Sequence, residues 1–118
     1  PETPVALASP GNTVRGLLRA ATASADEWGA RTAVNLPALG TTVREMVQAL
    51  ERVAGPEATA LIDWAPDPQV AKIVTSWPSR IRAGRAEALG LAADPDFDAV
   101  LREYVQENPQ AVKLPLRG

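Results

Sequence analysis

Helix-like and strand-like hydrophobic patterns succeed one another along this chain. Val14, Leu17, Leu18 and Ala21 recur at i, i+3, i+4 and i+7, the spacing of one helical stripe. Ser9-Pro10 stands just ahead of them, a serine N-cap followed by proline at the first helical position. A helix is therefore predicted from Pro10 to about Ser24. A second stripe comprises Val43, Val47, Leu50 and Val53, with Met46 alongside. Thr42 and Glu45 open it with T-x-x-E spacing, in which hydroxyl and carboxylate cap each other's backbone N–H, and Gly55-Pro56 closes it. Asp67-Pro68 starts a short helix reaching Val74, residues 82–89 form another that stops at Gly90, and Asp94 or Asp96 opens the last. In that last helix Phe97, Val100, Leu101, Tyr104 and Val105 are expected to face inward. Three short apolar runs read as strands: residues 4–8, residues 32–36 (Thr32-Ala33-Val34-Asn35-Leu36) and residues 61–65 (Leu61-Ile62-Asp63-Trp64-Ala65). The prediction is thus a small α/β unit of short strands and about five helices, with residues 109–118 as a tail.

Composition narrows what such a unit can do. At 118 residues the chain has the size of one domain, and residues 1–118 are expected to form one. Aromatics make up only 4% of it, so the core must be aliphatic, and 11 prolines imply several stiff connections. The net charge of −2 comes without a basic block, so nucleic acid is not an expected partner. No apolar run has membrane-spanning length, so no membrane partner is expected either. With neither cysteine nor histidine in the sequence, disulfides, thiol nucleophiles, imidazole metal ligands and histidine-based triads are excluded. The missing cysteines fit a reducing, cytoplasmic location. The chain begins at Pro1 with no signal-peptide pattern, and it reads as a piece of something longer.

Several fragments occur in an order that resembles the C-terminal half of the extended short-chain dehydrogenases, the NAD-dependent epimerase/dehydratase family. They are Ser9-Pro10 before Leu17-Leu18-Arg19-Ala20, then Asn35-Leu36-Pro37, then Thr42-Val43-Arg44-Glu45-Met46. Asp67-Pro68, Trp77-Pro78-Ser79-Arg80 and Ala86-Glu87-Ala88-Leu89-Gly90 follow. The Asn-Leu-Pro, Asp-Pro and Trp-Pro-Ser-Arg pieces resemble a narrower group, the D-erythronate dehydrogenase-like enzymes. The resemblance implies a substrate-binding domain that docks on a Rossmann half, in a homodimer, and takes part in hydride transfer on a small hydroxy acid or sugar. A nucleotide-sugar epimerase or dehydratase is the alternative, and so is a non-catalytic binding or dimerisation module.

The NAD-binding Rossmann domain is expected to lie outside these residues. None of the eight glycines fits a dinucleotide-binding spacing. The family's Tyr-x-x-x-Lys pair has no counterpart, because the single tyrosine, Tyr104, has Asn108 four residues on. The narrower group resembles Ser-Pro-Arg at the first helix with an asparagine further along. Here Gly11 and Gly16 stand at those places. One natural partner for a substrate carboxylate is thereby lost, and Arg15, one turn on, is the available replacement.

Five residues are candidates for substrate contact. Arg80, behind the Trp77-Pro78 kink, offers a guanidinium to a carboxylate or phosphate; the alternative is a surface ion pair. Trp77 is either a pocket wall or core. Ser9 and Asn12 sit where a strand delivers a helix N-terminus, suited to an anion or simply to capping. Asn35 either bonds a ligand or caps a turn. The aspartates are scattered and fall mostly at caps, so no carboxylate dyad or metal site is predicted.

Overall fold

A computed structural model of the chain describes residues 1–30 and 33–115. Strand β1 (Pro4–Leu7) pairs antiparallel with β2 (Leu39–Thr42), in a register running from Pro4 opposite Thr42 to Leu7 opposite Leu39. Seven helices accompany this ribbon among the described residues: α1 (Pro10–Thr22), α2 (Ala25–Trp28), α3 (Val43–Ala54), α4 (Pro56–Thr59), α5 (Pro68–Thr75), α6 (Gly84–Ala88) and α7 (Phe97–Glu107).

Two predicted strands are corrected. Thr32 lies outside the described residues, and Ala33 to Leu36 are irregular. The strand falls later, at Leu39–Thr42, where β1 offers a partner. Around Leu61 the backbone closes turns instead of a ladder: the N–H of Leu61 donates to Ala58 O (3.3 Å) and that of Ile62 to Thr59 O (3.1 Å). Those amides belong to the end of α4, which the sequence pattern did not reveal.

Helix α3 organises the core. Thr42 Oγ1 accepts from the Glu45 N–H at 3.2 Å, and Glu45 Oε2 accepts from the Thr42 N–H at 3.0 Å, so the reciprocal cap is formed. The Thr41 hydroxyl donates to the same carboxylate oxygen at 2.8 Å. Gly55 ends the helix at φ 84°, a left-handed backbone that side chains resist. Ala49 and Val53 are buried where α3 packs on α7, α4 and β2. The small side chain of Ala49, fully covered, allows these elements to approach closely.

Other apolar stripes point outward. On α1, Leu17 is 61% and Leu18 62% exposed, and Val14 is exposed with them, while Gly16 on the other side is buried. Val70 and Ile73 of α5 are likewise exposed, flanked by exposed Leu61, Trp64, Trp77 and Ile81. On α7, Tyr104 faces solvent, contrary to the predicted inward set, while Phe97, Val100, Leu101 and Val105 are half-buried. The molecule is a slab of 51 × 35 × 18 Å with a radius of gyration of 16.9 Å. A self-contained globule of this length has a radius near ~13–14 Å. Its accessible surface is 8394 Å², against roughly 6,100 Å² for a folded monomer of this mass.

Candidate functional site

The junction of β1 and α1 is held by one buried pair. Asp94, just before α7, accepts from the Ser9 N–H at 2.8 Å and from the Ser9 hydroxyl at 2.7 Å. The same hydroxyl oxygen accepts from the Asn12 N–H at 3.1 Å, and Ser9 O accepts from the Thr13 N–H at 2.9 Å. Every polar atom of Ser9 is thus engaged within the protein. Asp94 therefore satisfies both donors of Ser9 at the start of α1.

A cleft of about 280 Å³ runs beside α1. Asn12, Arg15, Gly16 and Arg19 form one wall, Leu36 and Pro37 a second, and Gly90 to Ala92 a third. Asn12 Nδ2 donates to Ala92 O at 2.8 Å and ties the first wall to the third. Gly90, at φ 87°, makes the turn that brings Leu91 and Ala92 to the rim. Gly16 allows Leu36 to approach, since a Cβ there would stand 2.9 Å from Leu36 Cδ2.

Acids beyond the lining hold both arginines. Arg15 Nη1 pairs with Glu103 Oε1 at 3.1 Å, and Arg19 Nη2 with Glu27 Oε1 at 2.6 Å. Glu27 also caps α2; its carboxyl is held below the usual range by the Ser24 backbone N–H first and Arg19 next. Glu103 reaches Arg15 across Gly11, where a Cβ would meet Glu103 Oε1 at 2.3 Å. A side chain in place of Gly11 would require the end of the Glu103 side chain to shift.

The other candidates lie apart from that cleft. Arg80 and Trp77 are both exposed, and Arg80 makes no hydrogen bond or ion pair with another described residue. Ser79 packs its carbonyl near Gly40 of β2, which seats the connector on the ribbon. Asn35 donates to Arg82 O at a long 3.5 Å and lines a shallow hollow with Arg82 and residues 83–86. Thus Ser9 and Asn12 come together, whereas Arg80, Trp77 and Asn35 do not join them. Sequence reading missed Asp94 as the partner of Ser9 and Arg19 as a lining residue. The first pairing spans 85 positions and has no local signature. The second was legible as the i+4 neighbour of Arg15.

In the described residues the β1–α1 turn contains no glycine, the Ser9 N–H donates to Asp94, and the sheet is a two-stranded antiparallel ribbon. The described residues also hold no group of three or more metal-ligating side chains, and no helix long and apolar enough to cross a membrane.

No protein-family model matches the chain. It is 39% identical over 107 residues to a protein of Cupriavidus necator named D-erythronate dehydrogenase, a match covering 91% of this chain and 33% of that protein. A protein of the same name from Haemophilus influenzae is 36% identical over 73 residues, 62% of this chain and 23% of that protein. A solved structure, the nucleoside-diphosphate-sugar epimerase from Agrobacterium tumefaciens, superimposes with a TM-score of 0.89 at 29% identity, covering 95% of this chain and 33% of that one. The chain therefore spans a third or less of the proteins it matches. The expected kinship is found, and the match fits a C-terminal portion of such a short-chain dehydrogenase.

Proposed function

We propose that this chain, kin to the D-erythronate dehydrogenase-like short-chain dehydrogenases, is the substrate-side third of an NAD-dependent oxidoreductase acting on a small hydroxy acid. The observation that carries this reading is the 39% identity over 107 residues to a protein named for that activity. The cofactor would be NAD, held by the other two thirds. What the chain contributes is binding and shielding. Arg80 offers paired N–H donors to a substrate carboxylate from a connector whose backbone Pro78 restricts. Beside it, Trp77 supplies an apolar wall that excludes water.

The surplus surface supports a docked partner. The excess over a compact monomer is roughly 2,300 Å², more than the ~800 Å² per partner of a standard interface. That is room for a contact with the Rossmann half and for a homodimer contact. The outward stripe of Val14, Leu17 and Leu18 is the part of it we assign to the Rossmann half.

The epimerase reading rests on the Agrobacterium tumefaciens structure. Replacing the matched third of the Cupriavidus necator protein with this chain separates the two. NADH formation from D-erythronate, weakened by Arg80→Lys through KM, supports the proposal. Epimerisation of a nucleotide sugar instead supports the alternative. A folded chimera with neither activity favours a non-catalytic module.

A further inference from the structure

The function proposed above rests on Arg80 and Trp77; the cleft beside α1 has the chemistry of a binding site of its own. Its lining holds two guanidinium groups and one carboxamide, and no acidic side chain. Arg15 and Arg19 are four positions apart, so they stand on the same face of α1, one turn above the other. Each shows one hydrogen bond through a single nitrogen, to Glu103 or to Glu27. A guanidinium has five N–H donors, so most remain for another acceptor. The two glutamates lie outside the lining and act as struts that orient the arginines. Leu36, Pro37 and Leu91 supply apolar surface opposite.

Size and polarity restrict the ligand. At about 280 Å³ the cleft is at the lower edge of the roughly 300–1,000 Å³ that small-molecule pockets occupy. A dinucleotide is too large; a short-chain anion is not. At 100° per residue, Asn12, Arg15, Gly16 and Arg19 point away from the stripe of Val14, Leu17 and Leu18. The arginine-lined cleft and the apolar stripe therefore occupy opposite faces of one helix, and a partner covering the stripe leaves the cleft open.

We propose that the Asn12–Arg15–Arg19 cleft is a binding site for a small oxyanion, a carboxylate or phosphate bearing only a few carbons. The two guanidiniums grip the anionic group, and Leu36, Pro37 and Leu91 cover its carbon end.

The test uses the 118-residue chain itself and follows arginine Nε–H and backbone amide resonances. Sodium phosphate and sodium D-glycerate are titrated separately at constant ionic strength. The site predicts saturable shifts at Asn12, Arg15 and Arg19, and the probe that binds more tightly identifies phosphate or carboxylate as the preferred source. Arg15→Gln and Arg19→Gln should each weaken binding about tenfold or more, while Arg44→Gln leaves it unchanged. Arg15→Lys, which keeps the charge, serves should a glutamine variant unfold; it should bind with intermediate affinity. Linear, non-saturating shifts spread over all arginines would overturn the proposal, as would equal affinity in the Arg15 variants and wild type. Loss of binding on Arg80→Gln alone would also overturn it, and would place the anion at the substrate-side connector instead.

Discussion

Helices α1 and α3 carry similar apolar stripes, yet α3 turns its stripe into the core and α1 turns its stripe outward. In α3 the cap, the stripe and the packing agree: Thr42 and Glu45 start it, Ala49 and Val53 are buried, and α7, α4 and β2 surround it. In α1 the cap is formed just as well, but the buried position is Gly16, and Val14, Leu17 and Leu18 meet solvent. Local sequence determines that a helix forms. Which face is covered depends on what the helix packs against, and among the described residues the α1 stripe stays exposed.

The contrast is most strongly tested at the joint that holds α1 to the body. Asp94→Ala removes two charge-assisted bonds to buried Ser9, each contributing about 1.5–3 kcal/mol. The expected loss is about 3 kcal/mol or more, seen as a lower denaturant midpoint at unchanged slope; a shift under ~1 kcal/mol would mean that α1 is held by something else.

Core and stripe should answer differently to enlargement and charge. Ala49→Leu forces extra methylenes into a site with no exposure and should cost about 1–3 kcal/mol. Leu17→Glu, at an exposed position, should change stability by no more than about 0.5 kcal/mol. Equal destabilisation by both, read from thermal melts, would erase the distinction between the two helices.

The cap of α3 is worth less than its packing. Thr42→Ala should cost about 1 kcal/mol, and an unchanged melting temperature would mean that the helix starts elsewhere. Acid should produce the smallest effect. The Thr41 hydroxyl, then the Thr42 N–H, hold the Glu45 carboxyl below the usual range. The bidentate contact of Arg52, at 2.9 and 2.6 Å, does the same for Asp98. A carboxyl whose folded pKa is depressed contributes stability above its unfolded pKa, and loses it as pH falls through the folded one. Melting temperature should therefore hold from neutral pH down to about pH 5 and decline below about pH 4. Asp98→Asn should flatten part of that decline. Glu45 is exposed, and Asp98, though partly covered, pairs with an exposed arginine, so the change is modest.

What was legible in the sequence follows the same division. Helices with a cap and a period were found nearly to the residue: Pro10 and Thr42 at the starts of α1 and α3, Asp67 before α5 and, of the two aspartates expected, Asp96 before α7. The strands were not, because β2 is chosen by pairing with β1 across 35 positions of chain, and residues 61–65 were claimed by the turns that close α4. The orientation of α1 was equally hidden, since a stripe gives the amphipathic axis but not its neighbour. For the candidate sites, Ser9 was legible as a cap and Arg15 as a cation in the right place. The Ser9–Asp94 and Arg15–Glu103 pairings are long-range contacts that no local spacing encodes.

Sedimentation of the isolated chain, with hydrophobic-dye binding on the same samples, bears most directly on the outward stripe. The account predicts dye uptake and concentration-dependent association by the wild type, both lost in a Leu17→Glu/Leu18→Glu variant that melts at the same temperature. A wild-type chain that stays monomeric at high concentration and binds no dye would contradict it.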